Sequence, residues 1–164
     1  MKLILLAIFI IVYFLLRAPN LTLQPIFADE AIYIRWAQVM RAEPTLRFIS
    51  LQDGKTPLFM WLLIPFFKVF SDPLYAGRLL SVISGFFTLL GVFFLSRKIF
   101  NTKVALWAAL LYVITPYTLF FDRMALVDSM LSALSIWSLY FALWVVQSVR
   151  LDLAMILGFI LGGG

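Results

Sequence analysis

The chain contains no cysteine and no histidine. The first absence excludes disulfides and leaves the redox compartment unmarked. The two together exclude a zinc site built on thiolate or imidazole ligands, and the second removes the commonest general base. Base chemistry therefore falls to a carboxylate, or to a lysine or tyrosine with a displaced pKa. Charge is also scarce: 13% of the residues are charged, eight acidic against thirteen basic. No low-complexity linker, long-period repeat or soluble domain is visible. In their place stands apolar surface, with 64% hydrophobic residues and seventeen phenylalanines. A soluble domain of 164 residues has no room to hide so much, whereas a bilayer does. The composition predicts an all-α, polytopic membrane protein. In such a chain the basic excess reads as topology and lipid-headgroup contact and not as nucleic-acid binding.

Apolar runs predict membrane spans over about residues 3–23, 73–100, 104–121, 129–149 and 152–164. Lys2 ahead of the first run fits a signal peptide too, but no small-residue cleavage site follows at Arg17-Ala18-Pro19-Asn20, which favours a span. Pro116 is expected to kink or close the third span. Arg97, Lys98 and Lys103 crowd one connector, whereas the next holds Asp122, Arg123 and Asp128. The positive-inside rule then puts the amino terminus and the Arg97–Lys103 turn in the cytoplasm, and the Arg17–Asp72 segment outside. Gly77, Ser81 and Gly85, and the serines at 129, 132, 135 and 138, recur at helical spacing and predict close helix packing.

The outer segment reads as two interfacial helices, over about 29–42 and 57–70. Ile32, Trp36 and Met40 share one helical face, with Arg35, Gln38 and Arg41 opposite. Thr56 and Pro57 form a cap-and-first-residue pair for the second helix, with Pro65 bending it. Asp72 and Pro73 do the same for the following span.

This topology gathers Asp29, Glu30, Asp53, Lys55, Arg78, Asp122, Arg123 and Asp128 on one side of the membrane. Ionisable groups at that depth are affordable and mark functional sites. Lys55, after Gly54 and before a helix start, suits an anion such as a phosphate at the bilayer surface. Arg78 offers a second, forked contact. Plainer roles stand beside these. Asp29 could cap its helix, Glu30 could favour a first turn, and Asp128 could cap the fourth span. Lys55 could reach for headgroups, Arg78 could anchor topology, and Asp122 could pair with Arg123.

The run Phe27-Ala28-Asp29-Glu30-Ala31-Ile32-Tyr33-Ile34-Arg35-Trp36-Ala37-Gln38 resembles the first external loop of polyprenyl-phosphate-dependent glycosyltransferases. These are the C-type membrane enzymes of glycosyltransferase family 39 and its kin, among them protein O-mannosyltransferases and lipid A aminoarabinose transferases. Gly54-Lys55-Thr56-Pro57-Leu58 with Trp61, Ala76-Gly77-Arg78-Leu79 and Arg123-Met124-Ala125-Leu126-Val127-Asp128 are similar to that family in the same order. The resemblance implies Asp29 as catalytic base, Lys55 as ligand of the carrier phosphate and Asp128 as a member of the active-site region. Glu30 joins the catalytic group, with Arg78 and Arg123 beside Lys55 at the phosphate. Protein mannosyltransferases tend to carry a histidine soon after the acidic pair, where this chain has Ala31-Ile32-Tyr33, which points away from a protein acceptor. Gly54 stands where the aminoarabinose transferases have an acidic residue before the lysine. No metal ligands and no cofactor are assigned, and a divalent cation is left open. The resemblance also implies further spans and a soluble part beyond Gly164, so that residues 1–164 form the amino-terminal part of a transmembrane glycosyltransferase domain and are inactive alone.

The implied reaction moves a sugar from a polyprenyl-phosphate donor to an acceptor hydroxyl on a protein, lipid or glycan. The donor brings its own leaving group, so one base and one phosphate-binding cation suffice, unlike the two carboxylates of glycoside hydrolysis. The expected setting is the plasma (inner) membrane, with the site facing the periplasm or exterior. The alternative is a non-catalytic lipid-linked-sugar transporter, flippase or binding subunit. Transporters interrupt their helices or place charges at mid-membrane, whereas the charges here sit at span ends.

Overall fold

The computed structural model describes residues 2–163, and every regular element among them is helical. The helices are α1 (Lys2–Arg17), α2 (Ala28–Ala42), α3 (Leu58–Val69), α4 (Pro73–Ile99), α5 (Thr102–Ile114), α6 (Pro116–Phe121), α7 (Asp128–Gln147) and α8 (Leu151–Gly163). Two 3₁₀ turns, Pro44–Leu46 and Ile49–Asp53, join α2 to α3. Gly164, the last residue of the expected fifth span, lies outside the described residues.

Helices α4 and α7 are long and apolar enough to cross a membrane. At 1.5 Å per residue α4 extends about 40 Å and α7 about 30 Å, against a hydrocarbon core of about 30 Å. The start of α4 is as the sequence predicts: the Asp72 carboxylate accepts the Leu74 N–H at 2.9 Å and Pro73 opens the first turn. Arg97 and Lys98 close the helix, where cations meet the negative end of its dipole.

Elsewhere the bounds differ from the sequence reading, for local reasons. The first helix stops at Arg17 instead of running to residue 23, because the chain turns through Asn20, which takes a left-handed φ of 53°. The expected helix over 104–121 is divided. Thr115 precedes a proline, is driven extended (φ −65°, ψ 123°), and separates α5 from α6. The third helix begins at Leu58, not Pro57, and no side chain caps it, so Thr56 is not the predicted N-cap. Asp29 does not cap α2 either; Phe27 holds that place and Asp29 is the second helical residue.

Helix α4 separates two apolar clusters. On one side α2, α3 and the start of α7 bury Tyr33, Ile34, Ala37, Phe59, Met60 and Leu63 against Ala76 and Leu80. On the other, α1 and α5 bury Tyr13, Ala105, Ala109 and Val113 against Val82 and Leu89. The small residues of α4 admit this approach, as their spacing predicts. A Cβ on Gly77 would come within 2.7 Å of the Ala125 side chain, and one on Gly85 would collide with the Asp122 carboxylate and the Tyr13 hydroxyl. Ser81 donates to the Leu126 carbonyl at 3.3 Å and Thr88 to the Ser129 carbonyl at 3.4 Å, tying α4 to the α7 side. The serine run of α7 behaves differently. Ser129 is buried, but Ser132 and Ser135 are exposed and touch no neighbouring helix face closely enough to be covered.

Candidate functional site

Two buried ion pairs frame the loop that carries Asp128. The first joins α2 to α4. Glu30, in the first turn of α2, accepts the Phe27 N–H at 3.0 Å, fixing the helix start. Its carboxylate also takes two bonds from Arg78, at 2.8 and 2.7 Å, and the Ala125 N–H at 2.7 Å. Arg78 directs its remaining N–H groups to the carbonyls of Leu21, Gln24 and Pro25, so all five guanidinium donors have acceptors within the chain. Burial pushes the Glu30 carboxyl up, but the Arg78 bonds and the two backbone N–H groups outweigh it and hold the carboxyl below its ordinary range.

The second pair joins α1 to the end of α6. Arg17 Nε meets Asp122 at 2.8 Å, and its terminal nitrogens reach the carbonyls of Val113 and Tyr112 and the Thr118 hydroxyl. Tyr112 and Ser129 donate to the same carboxylate, at 3.1 and 3.0 Å, and the guanidinium lies 4.3 Å from the centre of the Tyr13 ring. Asp122 thus pairs with Arg17 and not with Arg123. Arg123 instead donates to the carbonyls of Leu16, Pro19 and Asn20, closing the carboxy-terminal end of α1. Reading Arg17 as the mere end of an apolar run missed this. The only signal was an arginine and an aspartate, each ending an apolar segment on the same side.

Asp29, Lys55 and Asp128 are built differently. All three are exposed, and none forms an ion pair among the described residues. Gly54 takes a left-handed φ of 69° to end the second 3₁₀ turn, and the Lys55 N–H returns to the Ser50 carbonyl at 3.0 Å, which fixes the lysine's backbone. Asp128 opens α7. The charges of all three are felt at Tyr33. Burial pushes its phenol up, the Lys55 ammonium opposes that by charge and by hydrogen bonding, and the Asp29 and Asp128 carboxylates reinforce the rise through charge.

Lys55 borders a cavity of about 200 Å³ together with Gly54, Thr56, Val127, Met130 and Leu131. Met130 and Leu134 pass from that cavity into an apolar groove of about 550 Å³, flanked by Leu62, Phe66, Phe87 and Trp137 between α3, α4 and α7. A charged head and a long apolar tail fit such a continuous pair of spaces. Among the described residues, no three acidic side chains gather into a metal site.

The family of dolichyl-phosphate-mannose-protein mannosyltransferases matches residues 54–164. The chain belongs to that family. Lys55, Arg78, Arg123 and Asp128 lie inside the matched part of this mannosyltransferase-like chain, and Asp29 and Glu30 lie before it. Membership makes the protein a membrane glycosyltransferase of the class that takes its sugar from a lipid phosphate. No curated protein and no solved structure matches it.

Proposed function

We propose that this mannosyltransferase-family chain transfers a sugar from a polyprenyl-phosphate donor to an acceptor hydroxyl, with Asp29 as base and Lys55 as the phosphate-binding cation. The observation that carries this reading is Lys55, without an ion pair among the described residues, at the edge of a cavity that shares Met130 and Leu134 with an apolar groove.

In the reaction the acceptor oxygen attacks the anomeric carbon while its proton passes to Asp29. The bond from that carbon to the phosphate oxygen breaks, and the lipid phosphate departs with the bonding pair. Direct displacement inverts the sugar carbon. Lys55 stabilises the charge gained by the departing phosphate, and the Thr56 hydroxyl lies on the same cavity. Asp128, next to Val127 of that cavity at the start of α7, accepts hydrogen bonds from sugar or acceptor hydroxyls in this reading.

Glu30, grouped with the base as its neighbouring carboxylate, is fully buried with its oxygens engaged, so its role in this reading is to hold the start of α2 against Ala125. The donors of Arg78 and Arg123 face carbonyls and Glu30, which leaves the phosphate to Lys55. The family description names dolichyl-phosphate mannose and a protein acceptor, and both are the first substrates to try. In this reading α2 and α3 lie at the outer membrane surface and the shorter apolar helices α1, α5 and α8 complete the spans. A cysteine at Gln52, unique in this cysteine-free chain, should react with an impermeant reagent from outside.

Asp29→Asn tests the base. Asn keeps the size, and Asp29 caps nothing, so the helix start should survive. A positioned base contributes about 10²–10⁴ in rate, and turnover by the intact enzyme in membranes should fall in that range with donor binding retained. Near-normal turnover would remove Asp29 from the mechanism and turn attention to Asp128.

A further inference from the structure

We propose that the end of the bundle opposite Lys55 binds an anionic phospholipid, in a site built between α1 and α5 around Lys103. The inference does not depend on the transfer reaction proposed above, only on the chain's spanning a membrane. The two helices run in the same direction, since Arg17 at the end of α1 reaches the Tyr112 and Val113 carbonyls near the end of α5. Near their starts they leave a crevice of about 250 Å³, lined by Leu5 and Phe9 of α1 and by Lys103, Leu106, Trp107 and Leu110 of α5. The four residues of α5 follow one another at helical spacing and share one face. They extend about 10 Å along the helix axis, from a cation through an indole to aliphatic side chains. That order matches the layers of one leaflet: headgroup, interface and acyl chain.

Charge at this end of the bundle says which lipid fills the crevice. Residues 1–28 and 73–121 contain no acidic residue, while the connector from α4 to α5 carries Arg97, Lys98 and Lys103. Lys98 is already engaged, 5.4 and 5.0 Å from the centres of the Tyr140 and Trp144 rings on α7. Lys103 is exposed and forms no ion pair among the described residues. The Asn101 side chain accepts the Lys103 and Val104 N–H groups at 2.9 and 3.1 Å, which fixes the backbone from which the lysine extends. One turn on, Trp107 is 66% exposed, an apolar surface of the kind that lipid covers at a membrane interface. An anionic headgroup supplies the counter-charge that the protein withholds, and its acyl chain lies along Phe9, Trp107 and Leu110. A zwitterionic lipid brings its own cation and gains less from Lys103. In the topology expected from the sequence, the site belongs to the cytoplasmic leaflet, away from the sugar donor.

The test reads Trp107 fluorescence in the intact protein, reconstituted into phosphatidylcholine vesicles. A rising fraction of phosphatidylglycerol or of phosphatidylcholine, brominated in the acyl chains, quenches the indoles it touches. The Trp107 signal is the difference between each protein and the same protein carrying Trp107→Phe. Brominated phosphatidylglycerol should half-quench that signal at about a fivefold lower fraction than brominated phosphatidylcholine, the worth of one lysine near an anionic surface. Lys103→Gln should abolish the preference, and Arg97→Gln, outside the crevice, should keep it. Equal quenching by the two lipids in the parent would overturn the proposal and leave Lys103 reaching for headgroups of any kind. A preference that survives Lys103→Gln, or that Arg97→Gln lowers as much, would overturn it too, by showing a diffuse field and not a site. None of these outcomes bears on Asp29 or Lys55.

Discussion

Glu30 and Asp29 are consecutive carboxylates on one helix, yet the fold treats them as different kinds of group. Glu30 turns into the protein, where Arg78, Ala125 and Phe27 supply four hydrogen bonds to its two oxygens. Asp29 turns out and meets no partner. Successive helical residues diverge by about 100°, so a single step along the chain suffices to separate a group that holds structure from one free to react. The same division recurs between Asp122, closed in by Arg17, Tyr112 and Ser129, and Asp128, open at the start of α7. Each buried acid therefore lies close in sequence to an exposed one. The buried member fixes the backbone that presents the other. Through the Ala125 N–H, Glu30 links the helix of Asp29 directly to the loop leading to Asp128.

If that division is right, the largest change in stability should come from opening a closed pair. Arg78→Ala leaves Glu30 buried without its cation and strands three carbonyls. Breaking one partner of a buried pair costs about 3–5 kcal/mol, to be read from unfolding in detergent. Replacing both partners, with Glu30→Leu added to Arg78→Ala, should recover part of the loss because no buried charge remains. A single variant as stable as the parent would mean that the pair contributes nothing to the frame.

Lys55→Ala should show the reverse profile. Its side chain is exposed and forms no ion pair among the described residues, so stability should stay within about 0.5 kcal/mol of the parent. Donor use should fall about tenfold to a hundredfold, the cost of one charge-assisted bond, measured as the KM for the lipid-phosphate sugar. A variant that unfolds readily but turns over donor normally would place Lys55 on the structural side of the division.

How far this division could be read from the sequence depends on the residue. The helical class, the capped start of α4, the break at Pro116 and the close approach at Gly77 follow from local chemistry, and the sequence carries them. Asp29, Lys55 and Asp128 were also visible, because charges in an apolar chain stand out and adjacent motifs named them. Which charges would be buried was not visible. Arg78 looks like a phosphate fork until Leu21, Gln24 and Pro25 turn their carbonyls toward it, and those contacts cross about fifty residues of chain. Arg17 and Asp122 are 105 positions apart.

The smallest expected effect concerns pH, and it isolates Glu30 from the exposed acids. The folded carboxyl titrates below its ordinary value of 4.5, so above that pH both folded and unfolded chains hold it ionised and its pairing contributes in full. Between the two values the unfolded chain takes up a proton that the folded chain refuses, and stability drops as acid is added. Below the folded value the contribution is gone. Because burial opposes the Arg78 and backbone bonds, the shift is a balance and the slope should be shallow. Unfolding midpoints of the parent should decline on acidification through pH 4.5 more steeply than those of Glu30→Gln, whatever their absolute offset. Parallel curves for the parent and Glu30→Gln would show that the carboxylate is not preferentially ionised in the fold, and the contrast between the two neighbours would then rest on geometry alone.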